Sequence, residues 1–495
     1  MSKGRKEYTA TLPGFQVFLA GRPRLSGKEK LRRAVEEMKR KELWEFKELF
    51  SAWLPDAIFK RTTYDGHSRN RIFTPMILFW AYLNQLMMNN ISCVGIVKKV
   101  QSWTIYRRLS IPSSNTSAYC QGRSRLSLEF LTSVGTHVLD CLQKRLSKSD
   151  LWFGHQVVVL DGTGLSMPDT PANQDTYPQH SEAAPGCGFP QMNVAGLFCL
   201  ATGALMGFAY GNKHCSENRL FRQIKHLLQR GMVLLADRGF CNYLNFALAT
   251  QADVECVMRL RGSRGKVHRF QEIHVLPDGS RICKWMRPIQ QSRGMDAEEW
   301  ANLPEFILVR LVKIPLEFNG FRTTEIELVT TLTDWRTYSP GELGRLYLKR
   351  WKIEVFFRDI KTVMGMEILH RQTPAECHKE LQLYVIAHNL LRGLIQDAAR
   401  MFDSAIDRIS FKGTLQQLRE WMWLFFSPGL NEEKLRELRI AFFAKLRDNP
   451  VPERPFRTEP RAKKRRGKSY LLLNKPRGLM REPYHRGKPE RVYGA

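Results

Sequence analysis

The spacing of apolar and polar residues changes character near residue 150. Before that point the pattern is helical. Lys28 to Phe50 carries dense alternating charge at helical spacing, and Thr74-Pro75 opens an apolar helix that runs to Met88. A polar break at Asn89-Asn90 precedes a shorter helix, Ser92 to Gln101. Pro112 to Thr116 reads as a loop, after which Ala118 to Arg145 returns to helical periodicity. Short helices with tight breaks and many arginines predict a helical DNA-binding domain over 1–150. They suit an ordinary helical bundle nearly as well, because helix-turn-helix geometry is not fixed by spacing.

From Gln156 the period shifts to that of strands. Val157-Val158-Val159-Leu160 is wholly apolar and β-branched, the mark of a strand buried on both faces, and it stops at Asp161-Gly162. Asn193 to Leu200 and Ala204 to Tyr210 flank Ala201-Thr202-Gly203 as a hairpin, and Glu217 to Arg230 is helical. Met232 to Ala236 is a second buried strand, closed by Asp237-Arg238-Gly239. Glu255 to Leu260, Phe306 to Lys313 and Glu325 to Leu332 predict a β-rich insertion over 254–335. Ser339-Pro340-Gly341-Glu342 then combines an N-cap, a proline at the first helical position and a glutamate three residues on. Glu376 to Met401 is a further amphipathic helix. The remaining segments are a core in two parts (151–253 and 336–402), a C-terminal helical region (403–448) and a basic tail (449–495). The tail's run from Pro460 to Lys468 is expected to be disordered when free.

Charge narrows the partner. The 77 Lys+Arg against 48 Asp+Glu leave a net charge of +29, which implies a polyanion such as DNA, RNA or an anionic membrane. The most apolar window, Pro75 to Met88, is too short to span a bilayer and is interrupted by Asn84 and Gln85, so no membrane is expected. No apolar stretch follows the first basic residues, so no signal peptide is expected either. Ten cysteines without a C-x-x-C pair fit a reducing compartment, hence the cytoplasm, and argue against a structural zinc site.

The chemistry concentrates in Tyr347 to Lys361. Tyr347, Arg350, Glu354 and Lys361 share a helical stripe no wider than about 60°. A carboxylate among cations suits a metal held beside a phosphate, although a charged helix face is usually only solvated. Asp161 and Asp237, each directly after an apolar strand, shift that balance, although Asp-Gly and Asp-Arg-Gly are also ordinary turn sequences. Three carboxylates are the appropriate ligands for two hard divalent ions that activate an oxygen nucleophile. Arg350 and Lys361 suit phosphate oxygens as a fork and a point charge. His214 has no second histidine at metal-ligand spacing and reads as a strand-end residue. Trp285 and Trp300 read as packing residues rather than base-stacking platforms.

These residues resemble the bacterial insertion-sequence transposases of the DDE type, the insertion-sequence-four family. Its Y-x2-R-x3-E-x6-K signature is matched by Tyr347, Arg350, Glu354 and Lys361, and its aspartate motifs by Leu160-Asp161-Gly162-Thr163 and Leu235-Ala236-Asp237-Arg238-Gly239-Phe240. Thr116 to Leu126, with Gly122 where many members carry alanine, and the helix from Lys379 to Leu390 add to the likeness, which spans about Thr74 to Met401. The resemblance implies an α/β, RNase H-like mixed-sheet catalytic core interrupted by a β-rich insertion. It implies two Mg²⁺ ions, replaceable by Mn²⁺, on Asp161, Asp237 and Glu354, with Tyr347, Arg350 and Lys361 on DNA phosphates. It also implies cut-and-paste transposition through a hairpin intermediate. The implied partners are double-stranded DNA, as terminal inverted repeats and as target, and a second copy of the chain; the implied location is the bacterial nucleoid. Two alternatives stand beside this: a transposase-derived DNA-binding regulator that no longer cleaves, and, remotely, a carboxylate-based sugar hydrolase, for which the basic charge makes little sense.

Overall fold

The computed structural model of the chain describes residues 50, 53–55, 57–60, 72–88, 90–106, 110–260, 270–292, 295–315, 325–422, 424–426, 431–451, 472–479, 481–482 and 491–492. The charged stretch 28–49 and the basic run 460–468 lie outside them.

Among the described residues, four helices of nine or more residues precede the sheet: α1 (Pro75–Met87), α2 (Cys93–Tyr106), α3 (Ser117–Arg125) and α4 (Leu128–Lys144). Thr74 and Ser127 cap α1 and α4, each accepting from the backbone N–H three residues on. From Ile77 to Met87 α1 is buried all round. It therefore lies inside the molecule instead of presenting a polar face. The motif from Thr116 to Leu126 serves this packing. The Tyr119 hydroxyl donates to Gln85 Oε1 at 2.8 Å, and Arg123 reaches the same oxygen at 3.3 Å. Gly122 allows α3 to press on α1, since a Cβ there would stand 2.7 Å from Leu78 Cδ2.

The core follows as β1 (Val157–Ser166), β2 (Gln191–Cys199), β3 (Leu205–Gly211), α5 (Glu217–Ile224), β4 (Val233–Ala236), α6 (Tyr243–Gln251) and β5 (Glu255–Arg259). Next come β6 (Phe270–Val275), β7 (Arg281–Met286), β8 (Phe306–Pro315) and β9 (Glu325–Thr330), then α7 (Pro340–Leu348) and α8 (Lys352–Arg358). The long helix α9 (Pro374–Met401) is followed by α10 (Phe411–Trp421) and α11 (Glu432–Arg447). One nine-stranded mixed sheet runs β3-β2-β1-β4-β5-β9-β8-β7-β6. β1, β4 and β5 are parallel, and the other pairings are antiparallel.

Three expectations change here. β1 does not stop at Leu160: its ladder with β2 continues to Ser166↔Gln191, because β2 supplies backbone partners past the end of the apolar run. β5, expected as the first strand of the insertion, belongs to the core sheet beside β4, and β6 to β9 continue that sheet through the β5–β9 pair. The helix expected from Glu217 to Arg230 ends at Ile224 and closes in a 3₁₀ turn at Lys225–Leu227.

Strand alternation divides the core in two. Val157 and Val159, with Val233 and Leu235, face the cluster built by α1 to α4, α8 and α9. Val158, Leu160, Leu234 and Ala236 face the other, with α5 and α6. Part of the tail is docked rather than free: the Leu473 N–H donates to Cys187 O at 2.7 Å, and Arg477 pairs with Asp169 at 2.5 Å. No helix of the described residues is long and apolar enough to cross a membrane.

Candidate active site

Register brings the two aspartates together. β1 and β4 pair from Val157↔Val233 to Leu160↔Ala236, so Asp161 and Asp237 are the next residues on neighbouring strands. The period of two puts both on the face of Val159 and Leu235, toward the layer that holds α8. Each carboxylate is anchored by the backbone: Gly162 N–H donates to Asp161 Oδ1 at 2.8 Å, and Gly239 N–H to Asp237 Oδ1 at 2.7 Å. Asp237 thus does make the turn contact that Asp-Arg-Gly suggests, whereas Asp161 lies within a strand.

Glu354 sits on α8, whose buried side holds Ile353, Phe356 and Phe357. Phe356 and Phe357 meet Phe198 of β2 at ring-centroid distances of 5.6 and 5.1 Å, which seats the helix on the sheet. Glu354 is left on the exposed side, within electrostatic reach of Asp161. Burial raises the Asp161 carboxyl above the usual carboxylate range. The Gly162 N–H and the Arg350 guanidinium work against this, and the charges of Asp237 and Glu354 add to it.

The stripe from Tyr347 to Lys361 is not one regular helix. A 3₁₀ turn occupies Lys349–Trp351 and a π-helical turn Asp359–Val363. Two of its cations, Arg350 and Lys361, nevertheless meet β1. Arg350, only 7% exposed, places Nη1 3.9 Å from Asp161 Oδ2, and its Nε has no hydrogen-bond partner. The same guanidinium lies 4.8 Å from the Trp351 ring centroid and 5.9 Å from that of Tyr347. Tyr347 is buried, which pushes its phenol up to about 12. The Lys361 ammonium donates to Thr163 Oγ1 of β1 at 2.9 Å, and burial lowers its pKa.

The donors suit a hard divalent cation, being carboxylate oxygens whose like charges oppose one another. In this side-chain arrangement no three His, Cys, Asp or Glu among the described residues stand close enough to share one ion.

The other candidates lie elsewhere. His214 lines an open groove with Tyr210, Asn212 and Arg219, and its backbone N–H donates to the Asn212 side chain at 3.1 Å. Trp285 is 2% exposed and packs on Phe246 and Phe270, and Trp300 is half-buried against the same core. Both are packing residues here. Sequence reasoning passed over Glu217, the first residue of α5. Its carboxylate lies over Gly162, and burial followed by the charges of Asp161 and Asp237 pushes its pKa up. Ser216-Glu217 was legible as a helix start, but nothing local indicated where that start would land.

The family model described as "Transposase DDE domain" matches residues 152–390, a span that contains Asp161, Asp237, Tyr347, Arg350, Glu354 and Lys361. The chain is 26% identical over 401 residues to the transposase InsG of insertion sequence element IS4 from Escherichia coli (strain K12), covering 78% of this chain and 86% of that protein. Among solved structures it is similar to a piggyBac transposase synaptic complex with hairpin DNA, at 9% identity and a TM-score of 0.41, over 82% of this chain and 86% of that one.

Proposed function

We propose that the chain is a DDE transposase of the insertion-sequence-four type whose catalytic carboxylates are Asp161, Asp237 and Glu354, holding two Mg²⁺ ions that Mn²⁺ can replace. It is a DNA transposase and hence a DNA-cleaving enzyme. The observation that carries the proposal is the β1–β4 register, which sets Asp161 beside Asp237 on the face where α8 carries Glu354.

When bound, such ions activate the attacking oxygen and neutralise charge on the leaving oxygen of a phosphodiester. The protein's own residues do the positioning. Backbone N–H groups hold the Asp161 and Asp237 carboxylates in one orientation. Arg350, desolvated and with an unpaired Nε, offers a planar fork to phosphate oxygens. Lys361 adds a point charge beside Thr163, and Tyr347 a buried hydroxyl whose pKa is raised further above neutral. In this reading water attacks at the element's end. The freed 3′-hydroxyl then closes a hairpin on the opposite strand, which is reopened before the end joins target DNA. Two copies of the chain on paired terminal repeats would complete the assembly, within the bacterial nucleoid.

Purified protein with Mg²⁺ and duplex DNA carrying the terminal repeat should yield a nick, a hairpin and a strand-transfer product on a denaturing gel. EDTA should remove all three and Mn²⁺ restore them. No nick with either metal overturns the proposal. Lys361→Ala should weaken DNA binding and reduce the slope of log affinity against log salt by about one, as expected for one lost phosphate contact. An unchanged slope removes Lys361 from the phosphate site.

A further inference from the structure

We infer that Asn218 is a positioning residue for the active site: with Asn242 and Asn245 it fixes the turn after β4, so that the Asp237 carboxylate holds one orientation. The inference rests on the reading of Asp237 as a metal-holding group.

Asp237 leaves β4 into the turn Asp237-Arg238-Gly239-Phe240, which the Phe240 N–H closes on Asp237 O at 3.2 Å. The Gly239 N–H donates to Asp237 Oδ1 at 2.7 Å, so the carboxylate follows the peptide that bears this N–H. The fit is tight: a Cβ at Gly239 would stand 3.0 Å from the same oxygen. Whatever orients the turn therefore orients Asp237.

Three side-chain amides do so. Asn218, the second residue of α5, donates to Gly239 O at 3.2 Å. Its Oδ1 accepts from Asn242 at 2.9 Å and from Asn245 at 2.6 Å. Each of those two also donates to Phe240 O, at 3.1 and 2.9 Å respectively. The last two carbonyls of the turn are thus both held. The Asn218 amide has one possible orientation, because its oxygen faces two NH₂ groups and its own NH₂ must then face Gly239 O. Asn242 is fixed in turn as the cap of α6, accepting from the Asn245 N–H at 3.0 Å, and Asn245 is 1% exposed. Burying amides around a turn that the backbone already closes adds little apolar contact. What it adds is direction, and a misplacement of about 1 Å at a reacting centre costs about 10²-fold in rate.

The test compares full-length wild type with Asn218→Ala, Asn218→Asp and Asp237→Asn. Hydrogen–deuterium exchange on the metal-free protein reads the turn directly. Asn218→Ala should speed exchange of the Gly239 and Phe240 amides about tenfold or more and leave those of Val233–Ala236 unchanged. In the nicking assay with Mg²⁺ its kcat should fall about 10–100-fold, with KM for the terminal-repeat duplex unchanged. Asn218→Asp keeps the acceptor for Asn242 and Asn245, loses the donor to Gly239 O and gains a charge. The same two changes are expected of it, and it decides the matter if the alanine variant does not fold. Faster exchange with wild-type kcat overturns the inference, because the network is then only a structural tie. Wild-type exchange in both variants overturns it as well, and so does a loss confined to KM. With Asp237→Asn inactive, these results leave the carboxylate reading standing. Wild-type nicking by Asp237→Asn overturns that reading and the inference together.

Discussion

Asp161→Asn is expected to lower DNA cleavage about 10³-fold or more and to leave the fold at least as stable at neutral pH. Asparagine keeps the Oδ1 that accepts the Gly162 N–H, so the strand and its ladder with β2 are untouched. What is lost is the negative charge where a divalent ion and the transition state need it, and removing one preorganised electrostatic contact commonly costs 10²–10³ in rate. A metal ligand should cost at the top of that range or beyond it. The stability half of the expectation follows from the sign of the shift. Burial, Asp237 and Glu354 raise the Asp161 pKa in the fold, with Gly162 and Arg350 opposing. A carboxyl raised on folding costs stability once the pH exceeds its unfolded value, and the cost is fully present above its folded value. Asparagine has no proton to lose, so the variant keeps stability that the wild type gives up as pH rises. Gel assays with Mg²⁺ and thermal melts between pH 5 and 8 check both halves. Cleavage within tenfold of wild type would remove Asp161 from the chemistry.

Arg392→Ala is expected to be the most destabilising single change among the buried polar residues, at about 3–5 kcal/mol. Arg392 on α9 donates to Asp359 Oδ2 at 2.6 Å, with both side chains less than a tenth exposed. Its guanidinium lies 4.9 Å from the ring centroids of both Phe356 and Phe411. Truncation leaves the Asp359 carboxylate buried, with the Arg358 guanidinium 3.6 Å away at the surface, and opens a void between two aromatic rings. The damage falls on the turn that carries Lys361 and on the helix that carries Glu354, so activity should fall together with the urea midpoint. Arg392→Met combined with Asp359→Leu should recover most of the stability, because an apolar pair of similar volume replaces the ion pair without a desolvation cost. A single variant that loses less than about 1 kcal/mol in urea denaturation would mean that the pair is not the tie between α9 and the active-site helix.

Much of the active site could be read along the chain because its parts obey short-range rules. A run such as Val157 to Leu160 has no use for a charge until it leaves the apolar layer, so the aspartate after it announces a functional edge. The spacing of Tyr347, Arg350, Glu354 and Lys361 follows helical period, yet the segment is interrupted by a 3₁₀ turn and a π turn, which no local rule announced. The parts that were not legible depend on long-range pairing. The extension of β1 to Ser166 is stabilised by β2, some thirty residues later in the chain. The absorption of the β-rich insertion into one sheet is decided by the pairing of β5 with β9. The role of Thr116 to Leu126 as a buried strut needs Gln85 opposite it.

By itself, then, the order of residues determined the local periods, the three acidic positions and the cationic stripe, because each is set within a few residues by backbone geometry and charge. Only the tertiary structure decided which groups share a space: Asp161 beside Asp237 through strand register, Arg350 against Asp161, Trp285 in a core, and Glu217 over a glycine that leaves room for it. Those meetings join segments tens to hundreds of residues apart, and burial of apolar faces on both sides of the sheet brings them about.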